Sequence, residues 1–465
     1  MKAYIISSIS LLLITVGLSS CEKMIEIDPP LNEMTSETVF KSDGTAKATL
    51  SGLYTLLSQS NSHAFSITGF TSMGSDELEF MGTSGGYDDV RTNSMLATSS
   101  NASGLFNELY ASVYRANSII EGLQKYTGVT DSVKRQIVGE AKFIRGYLYF
   151  YLVNFFGDVP LVIETDVTKT AMLPRTPKAE IYNQIISDLT AARDSLPANY
   201  SASSGNRTNA NKYAAKALLA RVYLYTGNNA AAEANATDVI NATGLYSMIS
   251  SANIGTGIFI KNSNEAILQF MPPLNITYGY TVEGQNFVTT TAAAYSLRTT
   301  FVNSFASGDL RRTKWINQVT FNSIVNYQPY KYRMANQTVA AAAGVTEYHT
   351  ILRLAEQYLI RAEARAKQDN ASGALADMNV TRQRAGLIAS TTTDKAALLL
   401  EIEDERKFEL FCELGHRWFD LQRTNRADAI LAPIKPNWQS TDILYPIPQT
   451  ARDANINLSQ NDGYY

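Results

Sequence analysis

The sequence predicts a mainly α protein: tetratricopeptide-like helix pairs forming a curved scaffold, with long irregular loops and a few short strands. Three observations predict it. Apolar residues recur at three- and four-residue spacing in paired segments of about 16–22 residues, the signature of amphipathic helices. Small residues collect where neighbouring helices would cross, as at Ala214, Ala215, Ala217 and Ala220, and again at Ala362, Ala364 and Ala366. Two stretches, 61–100 and 245–345, lose that periodicity and fill with Gly, Thr, Asn and Tyr. Each pair has an apolar face that only its neighbour can bury, so the pairs stack, although no clean 34-residue consensus is present.

The elements follow in order. Residues 42–60 read as a first helix, with Ser42 or Asp43 as cap and Ala46, Leu50, Leu53 and Leu57 on one face. Leu105, Leu109, Val113 and Ala116 predict a helix over 104–125. Ile137, Ala141, Ile144, Leu148 and Leu152 predict another over 131–155, stopped by Gly157-Asp158-Val159-Pro160. Thr176 as cap and Pro177 at the first helical position open a helix over 177–195. Further helices are expected at 209–226, 229–242, 348–367, 371–386 and 393–414, several ending at a glycine. Within the second irregular stretch, Ile267-Leu268-Gln269-Phe270 reads as a strand.

The first residues read as a targeting segment rather than as fold. Lys2 is followed by an almost wholly apolar or small stretch, Tyr4 to Leu18, too short to span a bilayer comfortably but proportioned like a secretory signal. Leu18-Ser19-Ser20-Cys21 fits a lipoprotein cleavage box, so Cys21 is the expected lipidation site. Residues 1–20 are then a signal peptide, 21–41 an anchor and extended tether in which Pro29-Pro30 block regular structure, and 42–465 one domain. The second cysteine, Cys412, sits among apolar residues and reads as a buried small hydrophobe.

Composition narrows the function. The formal net charge of −3 over 465 residues, with 18% charged side chains, lacks the concentrated basic field of a nucleic-acid binder. The histidines, His63, His349 and His416, are far apart, so no metal site is expected and no cofactor motif is found. Loop carboxylates exist at Asp76, Glu77, Asp88, Asp89 and Glu283. Nothing in the sequence sets two of them roughly 5–9 Å apart across a cleft, as sugar hydrolysis requires, and no catalytic role is assigned.

Binding is the stronger reading. An uncharged sugar offers apolar C–H faces and a rim of hydroxyls, so its site needs aromatic rings beside amide, carboxylate or guanidinium groups. The two irregular stretches supply both. Asp76, Glu77 and Tyr87 are candidates from the first, with Phe70 and Phe80 nearby. Tyr278, Tyr280, Asn286, Arg312 and Trp315 are candidates from the second, which also holds Asn275 and Arg311. Trp315 leads because it is the one tryptophan in that stretch, whereas Trp418 and Trp438 lie in the C-terminal segment and read as packing residues. The competing reading is a surface docking or adhesion module that binds protein on a helical-repeat scaffold.

Four stretches carry a family pattern: Gly139 to Phe150 continuing to Phe156-Gly157-Asp158-Val159-Pro160-Leu161; Leu354 to Ala366; Glu405 to Leu410 with Gly415 to Leu421; and Leu444 to Gln449 with Gln460 to Tyr464. On these the chain resembles the SusD/RagB family of outer-membrane nutrient-binding lipoproteins of Bacteroidota. It departs at Cys412, at Leu414-Gly415-His416, and at Asp462, where proline is usual. The resemblance implies a lipid-anchored protein on the outer membrane, facing the exterior. It would capture an oligosaccharide and deliver it to a SusC-like TonB-dependent barrel, without catalysis. Arg361, Glu363, Arg406, Glu409 and Arg417 would tie helix pairs together, and Pro446, Pro448, Gly463 and Tyr464 would pin the C-terminal tail.

Overall fold

The computed structural model describes residues 36–59, 65–82, 85–272, 278–289 and 293–464. The signal peptide, Cys21, most of the tether, His63 and Asn275 lie outside the described residues.

Ten of the described helices build the scaffold. These are α1 (Asp43–Gln59), α3 (Ser100–Lys125), α4 (Asp131–Phe156), α5 (Lys178–Ser195), α6 (Lys212–Tyr225), α7 (Asn229–Ile240), α8 (Leu354–Lys367), α9 (Ala371–Arg384), α10 (Lys395–Leu410) and α11 (His416–Arg423). From α3 to α9 each packs on its neighbour in sequence, and α10 packs on α8 and α9. The stack steps directly from α7 to α8, so residues 241–353 leave it and return. One cluster of buried side chains runs from Phe40 to Leu458, with Tyr147, Phe150, Phe155 and Phe156 of α4 at its centre. Close approach of α4 and α5 depends on Gly146, where a Cβ would stand 3.1 Å from Leu189 Cγ.

Ion pairs buried between helices hold the stack in register. Arg145 of α4 grips Asp188 of α5 through two 2.7 Å hydrogen bonds, and Arg221 of α6 grips Glu356 of α8 at 2.6 and 2.7 Å. The motif residues do tie helices together. Arg361 pairs with Asp377 of α9, Glu363 with Arg423 of α11, and Arg406 with Asp420 of α11. A buried guanidinium demands such a planar, two-toothed partner. The tail is pinned, by Tyr464 as expected, whose hydroxyl donates to the Leu444 carbonyl, but also by Tyr445, whose N–H donates to the Phe155 carbonyl, and by Asn461, which reaches the carbonyls of Phe156 and Tyr445; Gly463 turns at φ 86°.

Three local expectations are corrected. Pro177 caps α5 without a side-chain bond, and Asp158 does the work instead, accepting the Lys178 N–H at 2.7 Å. The start of the expected 348–367 helix is a strand, β6 (His349–Arg353), paired antiparallel with β2 (Ala266–Phe270). Both strands are buried throughout, so no alternation marks them. The 61–100 stretch contains a wholly buried helix, α2 (Ile67–Gly74), whose short apolar run escaped the periodicity test.

Candidate functional site

The two irregular stretches meet. Strand β1 (Leu78–Phe80) pairs antiparallel with β3 (Tyr295–Leu297), setting Glu79 opposite Ser296 and Phe80 opposite Tyr295. Tyr87 packs against Phe70, Phe80 and Tyr295 with ring centroids 5.3–6.4 Å apart. Phe65 joins this group to Phe287, at the end of the helix Val282–Phe287 that carries Asn286. A hairpin, β4 (Ile316–Phe321) and β5 (Ile324–Pro329), stands beside it, with the Tyr327 N–H donating to Ser296 Oγ at 3.0 Å. The result is a loop face on which Tyr87 is half-buried and Met81, Ile324 and Val325 are exposed.

The sequence-predicted residues divide by exposure. Tyr278, Tyr280 and Asn286 are half-exposed and Arg312 is exposed. Tyr280 lines a small recess with Phe270, Glu283 and His349, and His349 Nε2 lies 2.8 Å from the Glu283 carboxylate. Trp315 is corrected. It has no exposed surface, its indole N–H donates to the Ile254 carbonyl at 2.8 Å, and Phe259, Phe411 and Lys331 close over its ring, so no ligand can stack on it. Glu77 is likewise corrected: it is 2% exposed and accepts the Cys412 N–H. Asp76 is engaged by Arg417 in two bonds of 2.7 and 2.9 Å, a clamp between the β1 segment and α11. Cys412 is buried, as its apolar neighbours suggested, and His416 is buried with its pKa driven well down by desolvation and surrounding arginines.

The Glu77 carboxyl yields a pH prediction. Burial and the adjacent Asp76 push it up to about 7. An unfolded glutamate titrates near 4.3, so between about pH 4.3 and 7 the native chain holds a proton that the unfolded chain has released. Stability from this group is present at low pH and lost as pH rises through that window. Glu77→Gln is therefore expected to be more stable than the wild type at pH 8, by about 3 kcal/mol, and to show no such gain at pH 4. Thermal melts at the two pH values check it; an equal gain at both would refute the assignment.

A larger cleft lies where the sequence reading placed only packing. Its volume is about 740 Å³, within the range of small-ligand sites. One wall is the loop Asn93–Thr98; the other is formed by Pro436–Gln439, Asp442, Gln449 and the terminal Gly463-Tyr464. Lys435 fixes the second wall by donating from inside the protein to the carbonyls of Met73 and Arg91, and burial pushes its ammonium down to about 7. Trp438 borders the cleft, half-buried. Its N–H is held by Asp428 at 2.8 Å and its ring lies edge-to-face with Trp418 at 6.0 Å. A recess of about 10 Å³, lined by Asn93, Trp418, Asp442 and Tyr464 among others, adjoins it. Burial pushes the Asp442 carboxyl up to about 6. The signal available in sequence was the segment Pro436-Asn437-Trp438-Gln439, a turn-prone stretch with one aromatic between amides.

Among the described residues no group of three or more His, Cys, Asp or Glu could hold a metal ion, and no helix is long and apolar enough to cross a membrane. Comparison with known proteins agrees with the architecture. A family model described as "Starch-binding associating with outer membrane" matches residues 32–224, and one described as "SusD family" matches residues 276–436. SusD-like protein P2 of Formosa agariphila is 25% identical over a 525-position alignment covering 100% of both chains, and SusD-like protein P25 of the same organism is 25% identical over 87% of each. Among solved structures, a SusD superfamily protein from Bacteroides vulgatus superposes with a TM-score of 0.79 at 23% identity, covering 91% of this chain and 100% of that one. A laminarin-binding SusD-like protein superposes at 0.74 and 23% identity, covering 91% and 100%. With two matched segments that together span most of the chain and a fold shared over nine-tenths of it, the chain belongs to the SusD/RagB family.

Proposed function

We propose that this protein is a non-catalytic glycan-capture protein of the outer membrane. It is held by a lipid on Cys21, faces the exterior, and delivers oligosaccharides to a SusC-like TonB-dependent barrel. The observation that carries this reading is the joining of the two irregular excursions, through β1 and β3, into one face beside a helical stack in a family described as starch-binding. The laminarin-binding relative supports the ligand class. Tyr87 on the loop face, with Tyr278, Tyr280, Asn286 and Arg312 of the second excursion, are the proposed contacts, since each retains exposed surface. Aromatic rings there suit sugar C–H faces, and amide and guanidinium groups suit hydroxyls.

The test is calorimetric titration of residues 22–465, which include every described element, against oligosaccharides of several backbones. Saturable binding to one class is expected, with a dissociation constant on the order of micromolar to millimolar. Absence of binding across starch, laminarin, xylan and pectin fragments would favour the protein-docking alternative.

A further inference from the structure

The cleft between Asn93–Thr98 and the C-terminal segment is separate from the residues proposed above, and its lining selects a ligand. Two buried polar atoms at its edge have no partner among the described residues: the Asn93 side-chain oxygen and the Trp418 indole N–H. Their residues are 7% and 1% exposed, and both line the 10 Å³ recess that adjoins the 740 Å³ cleft. Buried polar atoms in native proteins are nearly always satisfied, so an orphan acceptor and an orphan donor at one recess call for a group that both donates and accepts. The recess holds about one oxygen atom. A water meets both requirements, and so does a ligand hydroxyl that displaces it.

Asn93 is held in place for this: its backbone is left-handed, at φ 53°, and its amide N–H₂ donates to the Gly74 carbonyl, leaving the oxygen free. Trp438 is equally fixed, by Asp428 on its N–H and by Trp418 against its ring. The cleft therefore pairs an anchored aromatic ring with a hydroxyl-sized polar recess. Its lining includes the carboxylate of Asp442 and the amide of Gln439 but no lysine, arginine or histidine. That composition disfavours uronic or sulfated chains.

We propose that this cleft is a binding site for a neutral saccharide unit, with one sugar face on Trp438 and one hydroxyl seated between Asn93 and Trp418. The assignment rests on the glycan-capture reading and adds both a location and a charge class to it.

The experiment titrates residues 22–465 with maltohexaose, laminarihexaose and a galacturonic acid hexamer, for the wild type, Trp438→Ala, Trp438→Phe and Tyr87→Ala, with a thermal melt of each. The wild type is expected to bind a neutral hexamer and not the acidic one. Trp438→Ala should weaken that binding at least tenfold with little change in melting, while Trp438→Phe, which keeps a ring, stays within about threefold of wild type. Where Trp438→Ala lowers the melting temperature markedly, Trp438→Phe decides: a tenfold loss there overturns the platform role. Wild-type affinity in Trp438→Ala, with loss in Tyr87→Ala, overturns the cleft and leaves glycan capture standing. Preference for the galacturonic hexamer overturns the charge class. No binding by the wild type overturns both readings together.

Discussion

Glu409→Gln is expected to lower the free energy of unfolding by about 3–5 kcal/mol, the cost of breaking a buried ion pair by removing one partner. Glu409 is fully buried at the end of α10. Its carboxylate accepts from Arg353 at 2.6 Å, from Arg384 at still closer range, and from Arg311 at 3.4 Å. Those cations also share Glu265, Glu405, Glu413 and Asp309, so the group is a network rather than a pair. Burial alone would raise the Glu409 carboxyl, but Arg384, Arg353 and Arg311 together hold it far below the usual carboxylate range. The sign of the pH dependence follows. A depressed native pKa contributes stability that is present above the unfolded value near 4.3 and is lost as pH falls below it. The gap between wild type and Glu409→Gln should therefore be widest at neutral pH and narrow below about pH 4. Urea unfolding at pH 7 and pH 3.5 measures both; a loss under about 1 kcal/mol at pH 7 would place the network outside the stability of the fold.

The second large effect is Trp315→Ala. Truncating a buried tryptophan removes its transfer energy and leaves a cavity, at a cost of about 3–5 kcal/mol. Here the loss is compounded. The Ile254 carbonyl loses its donor, and Lys331 and Arg384 lose the ring face they lie over, at 4.8 and 5.7 Å. The folded fraction of the variant should bind oligosaccharide as the wild type does, because the ring has no exposed surface. Comparing the urea midpoint with the affinity at low temperature separates the two roles. Intact stability with lost affinity would return Trp315 to the ligand site.

These two residues show what a one-dimensional reading reaches. Glu409 was expected to tie helices together from its place in the third motif, but its partners stand 25, 56 and 98 residues away, and no spacing rule names them. Trp315 was judged by its surroundings in sequence, a loop-rich stretch, and the judgement failed because the segment after β5 and the turn after α10 fold over it. Strand β6 and helix α2 failed for a related reason. Both are buried on all sides, so the alternation or amphipathic stripe that reveals half-buried elements is missing.

The sequence by itself determined the helical scaffold and its order. Helix periodicity and capping are local, written within four residues of each position, and Asn211, Asn228 and Asp394 cap where the chain places them. It also marked the two stretches, 61–100 and 245–345, in which the helical periodicity fades. Only the tertiary structure decided which tryptophan faces a cleft. Exposure of a side chain is set by what packs upon it from distant parts of the chain: Phe259, Lys331 and Phe411 cover Trp315, whereas Trp438 keeps one side at the surface beside the loop Asn93–Thr98.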